Sequence, residues 1–179
     1  MLQVFGFDRV AVVIGDIYFV DPEPAKGQEG PEHGVRLEVR MLEPGELTGS
    51  IYWARPISIT EPVWRADLLE SVEGTPGSLN RAHHHPHMHN WEPGRRVFDR
   101  GLSSDPVGWV GSVLSDLASL LERAGIERDQ GLEGDAGKLR EAVPEVQRAV
   151  RQMLDQVQEG RLGTPPDGAD LTSARVSWL

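Results

Sequence analysis

An α+β fold, with an antiparallel sheet of five to seven strands covered by two or three helices, is predicted by three features of the chain. Residues 1–100 are punctuated by β-branched and aromatic runs of strand length. Residues 105–160 carry apolar side chains at helical spacing. No internal repeat or long linker separates the halves, and 179 residues suit one domain with a sizeable core. Strands followed by helices favour a sheet covered on one face.

Residues 10–20 (VAVVIGDIYFV) read as a strand with a bulge or turn at Gly15-Asp16. Residues 21–34 are acidic and rich in proline and glycine, hence an exposed loop. Residues 35–42 alternate, setting Val35, Leu37, Val39 and Met41 on one face and Arg36, Glu38 and Arg40 on the other. Half burial of that strand is the expectation. Residues 43–46 (EPGE) predict a turn. Residues 50–60 predict a strand confined to an edge or kink by Pro56, and residues 62–72 a strand or short helix.

Asp105-Pro106 supplies an N-cap and a first-turn proline. The stripe from Val110 to Ala124 predicts a helix ended by Gly125, packed on the face of Val35, Leu37, Val39 and Met41. A second helix is expected over residues 139–159, stopped by Gly160 and divided by Pro144. Residues 164–179 form a docked tail ending in Trp178-Leu179, since a large aromatic is seldom left in water.

With no cysteine, disulfides, thiolate metal sites and thiol nucleophiles are excluded. The first residues show no secretory pattern and the longest apolar run falls short of a membrane span, so a soluble, cytoplasmic protein is the expectation. The net charge of −10 opposes nucleic acid and anionic membranes. Arg81, Arg95, Arg96 and Arg100 nevertheless make residues 81–100 locally basic, as an anionic or small-molecule ligand would require.

The strongest chemical signal is residues 79–99, LNRAHHHPHMHNWEPGRRVFD, where five of the six histidines cluster. An extended chain would align His83, His85, His87 and His89 on one face. Neighbouring imidazoles on such a face stand about 6.5–7 Å apart, close enough for one adjacent pair to share an ion. Zinc or another divalent transition metal is the expected ion, with His33, Glu92, Asp99 or a residue of a neighbouring strand completing the set. The spacing His85-x-His87-x4-Glu92 matches a first cupin motif, but no histidine follows His89 to supply the second, which excludes a cupin.

Over about 40 residues the string Arg81-Ala82-His83-His84-His85-Pro86-His87-Met88-His89, with Tyr52-Trp53 and Trp64-Arg65 before it, resembles TumE-type toxins of bacterial toxin–antitoxin pairs. That family places Asp-Asn within its arginine–histidine strand, and here Ala82 follows Arg81 directly. The resemblance implies a ribonuclease or RNA-associated activity, with His85 and His87 as acid and base and Arg81 or Arg95 stabilising phosphate charge. Three classes therefore compete: a metal-binding protein, a nuclease-like enzyme, and a non-enzymatic interaction module with a solvated histidine face. The apolar tail and the strand edges around Pro56 and Pro86 add the expectation of a homodimer. No nucleotide-cofactor fingerprint is present.

Overall fold

A computed structural model describes residues 1–45, 56–127, 130–167 and 174–177. Five strands follow one another as antiparallel neighbours: β1 (Leu2–Gly6), β2 (Val10–Val20), β3 (Glu32–Pro44), β4 (Ile57–Ser71) and β5 (His83–His85). A short hairpin comes next, β6 (Met88–His89) and β7 (Glu92–Pro93), then four helices: α1 (Arg100–Ser104), α2 (Pro106–Ser115), α3 (Leu117–Arg123) and α4 (Gln130–Gln158). The last strand, β8 (Ala174–Ser177), returns to β2. β1 pairs with the first half of β2 and β8 with its end, so two short strands share one edge.

Register explains the two faces. Ile14 lies opposite Leu37, and Leu37 opposite Ala66; Val12, Val39 and Trp64 form the next row. These side chains face the helices and build the core with Leu114, Leu139, Val146, Val150 and Met153. α4 is the helix laid against β2 and β3, while α2 packs on α4. The expectation that residues 110–124 would cover the sheet is corrected accordingly, because the longer apolar stripe of α4 takes that place. Trp109 of α2 stacks on Trp64 with centroids 6.1 Å apart. Gly111 of α2 faces the Gln147 side chain of α4, whose Nε2 would lie 2.2 Å from a Cβ added there.

Several boundaries differ from expectation for identifiable reasons. β2 runs through Gly15-Asp16 without a break, because both residues are paired on β3. β3 continues to Pro44, into the turn expected at 43–46, with Glu43 opposite Ser58 and Pro44 opposite Ile57, while residue 46 lies outside the described residues. Residues 62–71 are strand, the proline being absorbed where the register shifts near Arg40. The part of the expected strand at 50–55, with Tyr52 and Trp53, lies outside the described residues, as do Trp178 and Leu179. The stripe 110–124 divides at Asp116, whose carboxylate accepts the Ser119 N–H and begins α3. Pro144 does not divide α4, which starts at Gln130 and loses only the bond that a residue 144 N–H would have made.

Asp135 of α4 is fully buried and accepts N–H bonds from Asp8, Arg9 and Val10 at 3.0, 2.6 and 3.0 Å. It fastens the long helix to the β1–β2 turn. Among the described residues no helix is long and apolar enough to cross a membrane.

Candidate metal centre

The second face of the sheet is charged and buried. Arg36, Glu38 and Arg40 do alternate away from the core, but they are 7%, 0% and 9% exposed, which corrects the half-buried reading of β3. Two cross-strand rows account for this. Arg36 stands opposite Asp67, and Asp67 opposite His83; Glu38 stands opposite Arg65, and Arg65 opposite His85. Neighbouring residues in a row are of opposite sign or can hydrogen-bond, which is how charges tolerate removal from water. Glu38 takes the Arg40 and Arg65 Nε–H groups at 2.7 and 2.6 Å. Arg36 Nε donates to Asp67 Oδ1 at 2.6 Å.

The histidine segment is not one long strand. Pro86 cannot donate to a sheet ladder, and the chain leaves the sheet after His85. It then folds into the β6–β7 hairpin, with Asn90 at φ 55° in its turn, and β6 lies against β4. Arg40 sits 5.0 Å from the Trp91 ring centroid, and Gly94 N–H returns to the His87 carbonyl.

Asp67, His83 and His85 form a buried group able to hold a metal ion, with one donor atom from each lying within 4.8 Å of the others. They are 2%, 4% and 3% exposed. His83 Nδ1 lies 2.8 Å from the Arg81 carbonyl and His85 Nδ1 2.8 Å from the Gly94 carbonyl. A carbonyl can only accept, so both rings carry the proton on Nδ1, and in the neutral rings each Nε2 presents a lone pair. Those two nitrogens lie 3.5 and 3.6 Å from Asp67 Oδ2. Burial lowers the His83 pKa, against the opposing pull of Asp67, and so favours its neutral form. Burial alone would raise Asp67, but the Arg36 guanidinium and the two imidazoles outweigh it and hold the carboxyl well below its usual range. Three candidate donor atoms thus converge on one point.

His87 and His89 are exposed on the hairpin and stand apart from this group. His84 points to the opposite face, against Trp64 and Trp109 at 6.4 and 5.0 Å. His33 lies on the helix side, 3.5 Å from Glu70. Asp99 caps α1 through the N–H groups of Gly101 and Leu102. Glu92 lines the cavity beside the group, whereas Arg95 is exposed and outside it. Arg81 binds the carbonyls of Gly27 and Glu29 and faces Glu32 at 3.6 Å. The structure therefore gathers His83 and His85 of the expected ligands. It adds Asp67, which reads in the sequence as an isolated acid. The alternation Trp64-Arg65-Ala66-Asp67-Leu68 was its available signal, since it repeats the pattern of β3.

The cavity beside the group has a volume of about 240 Å³. Arg36, Arg65, Arg96 and Arg175 line it with Phe19 and Trp91. No protein family, curated protein or solved structure matches the chain.

Proposed function

We propose that the protein binds one divalent transition-metal ion through Asp67 Oδ2, His83 Nε2 and His85 Nε2, with the remaining coordination positions open to the adjacent cavity. The observation that carries this reading is the pair of Nδ1–carbonyl bonds, which turn both Nε2 atoms toward one carboxylate oxygen. Metal-bound histidines characteristically donate their second nitrogen in this way. Bonds of about 2.0–2.2 Å around a tetrahedral ion set ligand atoms roughly 3.4 Å apart, and the 3.5 and 3.6 Å separations match that edge. Two imidazoles and a carboxylate suit zinc, iron(II) or cobalt(II) rather than magnesium or calcium. Three protein ligands leave room for an exchangeable water or a bound molecule, which distinguishes a reactive ion from a purely structural one.

Elemental analysis of untagged protein, purified without a nickel column, tests the reading. About one transition-metal ion per chain is expected, or uptake of one zinc with a rise in Tm. His83→Ala, His85→Ala and Asp67→Asn should weaken zinc binding by more than the roughly 10–100-fold seen for loss of an outer-shell partner. The double variant His87→Ala, His89→Ala should keep it. Protein that neither carries nor takes up metal overturns the proposal, and so does retention by the first three variants with loss in the double variant.

A further inference from the structure

The ion would sit at one end of a cavity that is unusually rich in guanidinium groups. Arg36, Arg65, Arg96 and Arg175 come from β3, β4, the segment after β7, and β8. Three carboxylates, Glu32, Asp67 and Glu92, face the same space, so the lining holds one more positive charge than negative before any ion is bound. Adding the buried Arg40 and Glu38 beneath leaves that excess unchanged. A divalent ion would raise it to three. Cations this close in a partly buried cavity repel, and the most economical relief is an anion.

One lining residue has a hydrogen-bond donor left unmade. Arg36 is 7% exposed and gives its Nε–H to Asp67, but its Nη1 is buried without a hydrogen-bond partner among the described residues. A buried charged donor left unmade is costly, and a guanidinium edge is shaped to take two oxygens of one carboxylate or phosphate. Arg175 lies near enough to Arg36 and Arg65 that, after burial, their charges are the main influences lowering its own pKa. Phe19 and Trp91 flank the arginines and offer an apolar wall for a small organic body.

We infer that the cavity takes a small molecule bearing a carboxylate or phosphate group, one oxygen entering the open coordination of the ion while the others are held by Arg36 and Arg175. This rests on the metal reading above for its inner contact. The volume lies below the roughly 300–1,000 Å³ typical of drug-sized ligand pockets, which favours a compact ligand over a nucleotide or polymer.

Cobalt(II)-loaded protein provides two separable readouts. Uptake of cobalt is followed by its visible spectrum, and inorganic phosphate or benzoate is then titrated by calorimetry and by change in that spectrum. The expected result is a spectral change with at least one probe, phosphate or benzoate identifying the source of the anion. Arg36→Lys keeps a cation beside Asp67 but removes the fork, and Arg175→Gln changes a residue of the short edge strand β8. Each should keep cobalt and lose about 10-fold in anion affinity, the usual scale of one charge-assisted hydrogen bond. If Arg36→Lys fails to fold, Arg175→Gln decides. Cobalt binding without response to either anion overturns this inference alone, as does anion binding indifferent to both substitutions. Failure to bind cobalt overturns the metal reading and this inference with it.

Discussion

Individual residues in this protein are set by what stands across the strand from them. His83, His84 and His85 are adjacent in sequence and differ in role: the first and third face Asp67, whereas the second packs on Trp64 and Trp109. Period two alone separates them. Gly34 shows the opposite case, a position where no side chain fits. Its φ is 154°, and a Cβ would lie 2.1 Å from the Leu68 carbonyl oxygen, so glycine lets β3 and β4 close beneath the site. Glu32 lines the cavity without being one of the proposed metal ligands. Burial raises its pKa above the ordinary 4.5, with Arg81 and Arg96 pulling it down and Asp67 and Asp21 adding to the rise. A carboxyl whose folded pKa exceeds its unfolded one binds more protons folded than unfolded. Its contribution is therefore most favourable below the unfolded value and is lost as pH rises through the folded value. Glu32→Gln should gain in Tm relative to wild type as pH rises from about 4 to 7. Paired thermal melts across that range check this, and a difference independent of pH, or one shrinking as pH rises, would show that burial does not govern Glu32.

At the scale of elements, legibility followed periodicity. β2, β3 and the first stripe of α2 could be read because apolar residues recur at period two or 3.6. β1 was missed because it is a five-residue edge strand with no buried residue, whose apolar Leu2 and Val4 are exposed. The start of α4 was missed because Gly131, Gly134 and Gly137 dilute helix propensity there, and tertiary bonds to Asp135 compensate. For the site, the histidine pair was visible and its carboxylate partner was not. Asp67 comes close to His83 only through the pairing of β4 with β5, a relation that one-dimensional spacing does not contain. The helix layer gives a direct test. Leu117 is 1% exposed at the start of α3, in the core that α4 shares with the sheet. Leu117→Asp would bury a charge with no partner in that apolar cluster, and a loss of more than about 3 kcal/mol is expected by chemical denaturation. A variant within about 0.5 kcal/mol of wild type, the usual range for surface substitutions, would show that the helix layer is misplaced.

For the whole molecule, the sheet is a layer between an apolar side and a charged side, both enclosed. The helices cover one, and the hairpin carrying Trp91 and Glu92 folds over the other. An antiparallel sheet commonly leaves its second face to water, so burying Glu38 with two arginines reserves that face for something other than solvation.

The order of the first five strands in space is their order in the chain, and this has a kinetic consequence. Each strand can pair with the one just made, so every closure in the meander spans a short stretch and costs little entropy. The bonds from Asp135 to Asp8, Arg9 and Val10 span 127, 126 and 125 residues and belong to the last steps of assembly. Asp135→Ala would leave three N–H groups without their acceptor, at roughly 1–3 kcal/mol for each that water cannot reach. Nearly all of that loss should appear as faster unfolding with an almost unchanged folding rate, since an interaction absent from the transition state acts on the unfolding limb alone. Stopped-flow chevrons of wild type and variant measure both limbs. A folding rate reduced in proportion to the lost stability would mean that the helix docks first and the meander forms on it.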